Sequence, residues 1–177
     1  MTEAGPLTRI VRVDALPREG QTVTIEASPV EREALASLYK LPAIAALTAT
    51  LRVEPAGRGG ARVTGAVHGE LTQICVVTLE PFAATVDEPV EVRFAPQEEE
   101  DSARRAARET LTFSLADEDD PDPVIDGKID LGALTAEFFA LGLDPYPRKP
   151  GVEFAAPAET RPPNSPFAAL ASKRAKR

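Results

Sequence analysis

Tryptophan is absent from this chain of 177 residues, cysteine, histidine and methionine occur once each, and aromatic residues make up only 5%. A core built from this composition must be aliphatic, drawn from Val, Leu, Ile and Ala. One cysteine excludes an internal disulfide, which fits a reducing compartment. Cys75 and His68 cannot supply a four-ligand zinc site from one chain unless carboxylates or a second chain contribute. No apolar run approaches the ~20 residues that a membrane helix needs. The opening Met1-Thr-Glu-Ala-Gly-Pro6 lacks the basic and apolar regions of a secretory leader. The expectation is a cytoplasmic protein with no cofactor, no metal and no membrane contact.

Hydrophobic residues are 43% of the chain, enough for a core and too many for wholesale disorder. The length suits one domain of ordinary size with tails. The net charge of −8 is a local property: residues 98–126 hold 11 acids and 3 bases, while the rest of the chain carries 17 of each. Residues 161–177 contain Arg161, Lys173, Arg174, Lys176 and Arg177 and no acid. The chain thus has an acidic insert and a basic tail.

Leu7 to Val13 reads as a first strand, and Val23 and Ile25, alternating with Thr22, Thr24 and Glu26, as a second. Ser28-Pro-Val-Glu31 is a helix start: Ser28 caps, Pro29 takes the first position and Glu31 closes a capping box. That helix runs to about Tyr39, before Pro42. Leu47, Ala49, Leu51 and Val53 alternate with polar residues in a half-buried strand. Gly57-Arg-Gly-Gly60 is a turn. A long strand or hairpin covers roughly 61–77, with odd positions apolar and Gly65 or Gly69 marking a bulge or bend. Its end, Ile74-Cys75-Val76-Val77, reads as buried on both sides, before a polar Thr78 and a turn at Glu80-Pro81.

Val90, Val92 and Phe94 form another strand, which Val86 extends and whose Pro89 calls for an edge or a bulge. Residues 97–110 read as a mobile loop, Leu111 to Leu115 as a short strand, and Asp117 to Pro123 as too charged to pack. Asp130 caps a helix whose stripe is Leu131, Leu134, Phe138 and Leu141, and which Gly142 helps to end. Between Pro145 and Pro166 lie 7 of the 17 prolines, so that stretch is extended. Ser165-Pro166 starts a short final helix anchored by Phe167 and Leu170.

Few residues invite chemistry. Cys75 with His68 suggests a nucleophile and a base. Seven residues apart on one regular strand, however, the two point to opposite faces, and Cys75 belongs to the apolar series. Asp117-Glu-Asp-Asp120 lacks the glycine and terminal glutamate of a calcium loop and reads as solvated, or as touching a basic partner. Lys173, Arg174, Lys176 and Arg177 suit either RNA phosphates or plain solubility. Gly57-Arg-Gly-Gly60 is no phosphate loop, since no Lys-Ser/Thr follows.

Two segments carry a resemblance: Gln73-Ile-Cys-Val-Val-Thr-Leu-Glu-Pro-Phe82 and Leu141-Gly-Leu-Asp-Pro-Tyr-Pro-Arg-Lys-Pro150. With the Ser28–Glu31 helix start, the Val63-to-Phe82 segment, Val90-Glu-Val-Arg-Phe94, the acidic insert and Ile129-Asp-Leu-Gly-Ala-Leu134, they resemble the YceD family of bacterial proteins over roughly residues 7–150. The alphaproteobacterial branch is the nearest in look. Many other members carry Cys-x-x-Cys at the first segment. Here Thr78 stands where the second cysteine would be, so no metal site is carried over.

The resemblance implies a role in synthesis, processing or stability of large-subunit ribosomal RNA. It implies no reaction and no catalytic residues. The matching motif positions are Cys75, Thr78, Leu79, Pro81, Phe82, Asp144, Pro145, Tyr146 and Arg148. The first five are expected to shape the strand-to-turn core. Tyr146, Arg148 and Lys149, with the four basic tail residues, are the expected partner contacts.

The expected fold is α+β, dominated by an antiparallel sheet curled into a barrel or sandwich, with short helices at 29–39 and 130–142. Residues 1–150 form one domain with the acidic insert, and 151–177 a proline-rich, basic tail. The expected partner is a pre-ribosomal large subunit, a ribosomal protein or an rRNA-processing factor, with direct RNA contact open. The alternatives are a general interaction module whose acidic loop binds a basic partner and, third, a Cys75-dependent enzyme.

Overall fold

The computed structural model describes residues 5–57, 59–96 and 121–153. Outside them lie Arg58, the loop and strand read over 97–115, most of the acidic insert, and the tail from Phe154, with its helix start at Ser165 and with Lys173, Arg174, Lys176 and Arg177.

Seven strands and two α-helices follow in the order β1 (Ile10–Arg12), β2 (Gln21–Glu26), α1 (Pro29–Tyr39), β3 (Ala43–Ala56), β4 (Gly60–Ile74), β5 (Pro81–Pro96), β6 (Asp122–Val124), β7 (Lys128–Asp130) and α2 (Leu131–Leu141), all among the described residues. The large sheet has five strands in the order β2-β3-β4-β5-β6, and β1 pairs with β7 separately. Neighbours in the large sheet are antiparallel except β5 and β6, which run parallel over Phe94–Pro96. The fold is α+β as expected. Among the described residues no ladder joins β2 to β6, so the sheet does not close into a barrel.

Alternation sets the layers. In β4, Val63, Val67, Leu71 and Gln73 are buried, while Arg62, Ala66, His68 and Glu70 are exposed. The buried face packs with Ile25, Leu47, Leu51 and Val53 of the neighbouring strands and with Leu35, Leu131 and Phe139 of the helices in one aliphatic cluster. The helices meet each other there: the Tyr39 hydroxyl donates to the Ala136 carbonyl at 2.9 Å, and its ring lies 6.1 Å from that of Phe139.

Both helix starts follow the local rules. Ser28 Oγ accepts from the Glu31 N–H and Glu31 returns a carboxylate to the Ser28 N–H, with Pro29 at the first position. Arg9 reinforces the box with two guanidinium bonds to Glu31, at 2.7 and 3.1 Å. The Arg9 bond first, and then the Ser28 amide, pull the Glu31 carboxyl down to about 2. At α2, Asp130 Oδ1 accepts from the Gly132 and Ala133 amides and also from the Arg9 amide.

Several sequence expectations are corrected. The first strand is short, because the Arg9 backbone is spent on α2: its N–H goes to Asp130 and its carbonyl accepts from the Leu131 N–H. The register shift lies in β3, between Ile44 and Ala46, and not at Gly65 or Gly69. Gly69 is needed for a different reason: a Cβ there would sit 2.5 Å from the Phe139 ring. That seat turns Phe139, fully buried, toward the sheet, so the expected α2 stripe is rotated and Leu141 is left exposed. Asp122 and Pro123 do join a strand, β6, by backbone alone, with their side chains exposed. Pro89 sits opposite Ala66, and β5 has no partner on its other side there among the described residues, so it occupies an edge.

Gly69→Ala is expected to lower the unfolding free energy by about 1–3 kcal/mol through overpacking, and Phe139→Leu in the same chain to restore part of it in urea denaturation. Glu31 titrates lower in the folded chain than in the unfolded one, so its stabilisation is complete above about pH 5 and is lost as pH falls toward 2. Glu31→Gln should therefore be less stable than the parent at pH 6–7 and converge with it near pH 2.

Candidate functional site

The two segments singled out in the sequence lie against each other. β4 and β5 pair to their ends, Gln73 with Phe82 and Ile74 with Pro81. The connection Cys75 to Glu80 closes on itself: the Cys75 N–H donates to the Glu80 carbonyl at 2.9 Å and the Leu79 N–H to the Cys75 carbonyl at 2.8 Å. The turn spans Val76 to Thr78, earlier than the expected Glu80-Pro81. Leu79 follows with φ +60, a left-handed conformation that disfavours a side chain, and is 76% exposed.

The second segment leaves α2 at Gly142. A Cβ there would meet Val86 at 2.4 Å, so glycine lets the chain cross β5 closely. Asp144 then accepts the Tyr146 N–H on its carboxylate at 2.8 Å, a local turn that sets the direction of the chain.

From there the segment runs beside the β4–β5 connection, joined at successive points. Gln73 Nε2 donates to the Asp144 carbonyl at 3.2 Å, the Val76 N–H to the Pro147 carbonyl at 2.9 Å, and Lys149 Nζ to Glu80 Oε2 at 3.1 Å. Cys75 sits between them without exposed surface. The Thr78 hydroxyl, then the Lys149 N–H and the Thr78 and Val77 amides, hold its thiol down to about 6, against the opposing effect of burial. The thiol thus responds to groups of both segments.

The motif residues divide accordingly. Cys75 is buried and Phe82 half-buried, as core-shaping residues should be, but Thr78, Leu79 and Pro81 are exposed. Thr78 shapes the turn by accepting the Glu80 N–H on its hydroxyl, the same hydroxyl that lowers the Cys75 thiol. Asp144, Pro145, Tyr146, Arg148 and Lys149 are exposed. Ile74 and Val76, expected to be buried on both sides, are exposed, because the crossing segment covers only one face of the strand end. Val76 (45%), Leu79 and Tyr146 (72%) are thus exposed apolar side chains carried by the two hydrogen-bonded segments.

Gln73 carries a signal in the sequence, as a polar residue at an odd position of an apolar series, and its role as a tie between the segments comes from the tertiary structure. His68 lies on the opposite face of β4, its Nδ1 2.6 Å from Asp87, so it does not meet Cys75. Among the described residues no three His, Cys, Asp or Glu side chains gather as a metal site.

The open face of the large sheet offers little to nucleic acid. Arg52 pairs with Glu54, Arg62 with Glu91 and His68 with Asp87. Thr24, Thr50, Ala66 and Pro89 face solvent in register between them, with no aromatic ring on this face among the described residues for a base to stack on. No helix among the described residues is long and apolar enough to cross a membrane.

A thiol held below its unfolded value stabilises the fold fully above about pH 9, and that stabilisation is lost as pH falls through 6. The stability gap between the parent and Cys75→Ala is expected to widen from pH 6 to 9 and to be smaller in Thr78→Val. Unfolding free energies at these pH values check this, as does thiolate ultraviolet absorbance. Slow alkylation of native Cys75 despite its low pKa is the companion result, since the sulfur has no exposed surface.

Comparison with known proteins follows the same residues. No curated protein and no solved structure matches the chain. The family described as large ribosomal RNA subunit accumulation protein YceD matches residues 63–172, more than half of the chain, and takes in most of β4, all of β5 and α2, and both clasped segments. The chain belongs to the YceD family.

Proposed function

We propose that this protein is a non-enzymatic ribosome-biogenesis factor of the cytoplasm. It supports synthesis, processing or accumulation of large-subunit ribosomal RNA by binding a pre-ribosomal particle, a ribosomal protein or a processing factor. The family match supports the process. One observation supports the place and manner of contact: Leu79 is held both left-handed and exposed, on the same pair of joined segments as exposed Val76 and Tyr146. A leucine in that state costs the free protein stability on two counts, and strain of this kind collects at sites with a function. A protein partner with an apolar recess would cover it, with Arg148 and Lys149 at the rim.

The reading as a binding protein draws on the chemistry around Cys75. The thiol is enclosed, its donors are a hydroxyl and backbone amides, and the only histidine is on another face. Among the described residues, none of its partners is a general base, which nucleophilic catalysis requires. Protein contact is favoured over RNA contact because the clasp surface is apolar, and Lys149 is already engaged by Glu80.

Affinity capture from the protein's own cells at low and high salt, with and without RNase, tests the reading. Large-subunit ribosomal RNA or proteins are expected, with recovery that survives high salt and RNase. Leu79→Gly should lower recovery at least tenfold while leaving the fold intact or stabilised by a few tenths of a kcal/mol, because glycine accepts the left-handed conformation. Tyr146→Ala should lower it similarly. Steep loss with salt, RNase sensitivity and dependence on Arg148 and residues 173–177 would instead assign an RNA contact. Recovery of an unrelated partner would reject the biogenesis role.

A further inference from the structure

A second apolar feature lies away from the clasp. Gly5 to Leu7, the end of α1 and one side of α2 enclose an open cleft of about 470 Å³. Pro6, Leu38, Tyr39, Ala136, Ala140 and Leu141 line it. Leu38 is 58% and Leu141 68% exposed, so two large aliphatic side chains stand at its rim facing solvent. The short alanine side chains between them are what leave the space. Among the described residues, Glu137 is the one charged residue in the wall.

We propose that this cleft is the seat for the chain's own segment Ser165–Ser172, entered by Phe167 and Leu170. Three observations identify the occupant. Beyond Glu153 the sequence has 24 more residues, and Phe167 and Leu170 lie there within an alanine-rich stretch. Their spacing, with Ala171, matches one face of a helix, the shape that a cleft between two helices accepts. The family match runs past Glu153 and stops at residue 172, two residues after Leu170, so the pattern that defines the family includes this stretch. Charge agrees as well: Lys173 and Arg174 follow the apolar stretch directly and would meet Glu137 in the wall.

Length permits the contact. The fourteen residues from Glu153 to Phe167 span roughly 45 Å when extended, against a radius of gyration of about 15 Å for a domain of this size. The proposal is independent of the partner surface at Leu79 and Tyr146. It gives the basic tail a fixed starting point beside α2.

Hydrogen–deuterium exchange on the full chain tests it. Amides of 167–171 are expected to exchange about tenfold or more slower than an unstructured reference. Leu141→Asp and, separately, Leu38→Asp should remove that protection, and both positions are exposed enough for the fold to survive. Phe167→Ser with Leu170→Ser should in turn speed exchange in α1 near Leu38 and in α2 near Ala140. Exchange of 167–171 at the unstructured rate would overturn the proposal, as would protection that neither cleft variant changes. Protection that grows with protein concentration would overturn it too, by assigning the cleft to a second copy.

Discussion

The parity of β4 is the constraint on which the rest of the structure depends. Its odd-numbered residues from Ala61 to Gln73, Gly65 apart, face the helices, and Cys75 continues the series past the strand's last residue. The same face supplies the aliphatic wall at Val63 and Val67, the gap at Gly69 that seats Phe139, and the Gln73 and Cys75 groups that receive the chain after α2. A slip of one residue would turn all of these to solvent and present Arg62, His68 and Glu70 to the core. Pairing with β3 and β5 along nearly the whole strand makes such a slip costly.

The clasp is thus a consequence of the core as much as an addition to it. Phe139 in its seat sets the rotation of α2, and the rotation sets where the chain emerges at Gly142. Backbone groups then do most of the joining, through the Val76 amide and the Asp144 and Pro147 carbonyls. This leaves the side chains of Val76, Leu79, Tyr146 and Arg148 free for the surface. A frame held by main-chain bonds can present a strained leucine without yielding, which suits the proposed contact surface.

Local rules were the most legible. The Ser28–Glu31 capping box, the Asp130 cap, the alternation in β2, β3 and β4 and the edge position of Pro89 all rest on groups within a few residues of one another, or on a period of two. The rotated α2 stripe, the seat at Gly69 and the exposure of Ile74 were not legible. Each depends on which face a distant element covers. Arg9 illustrates the difference. Its sequence neighbours suggest a strand, and its backbone serves instead as part of a helix cap 121 residues away.

By itself, then, the sequence determined the aliphatic character of the core, the helix starts, the face of each long strand, the opposite orientation of His68 and Cys75, and the family. Composition, capping chemistry and strand parity carry that information without reference to partners far along the chain. Only the tertiary structure decided that the two motif segments form one clasp and that Gln73 ties them. It also decided that Leu79 is strained and exposed while Cys75, four residues earlier, is enclosed. The reason is that hydrogen bonds between residues some seventy positions apart arise from the packing of α2 on β4 and β5, and no local pattern encodes that packing.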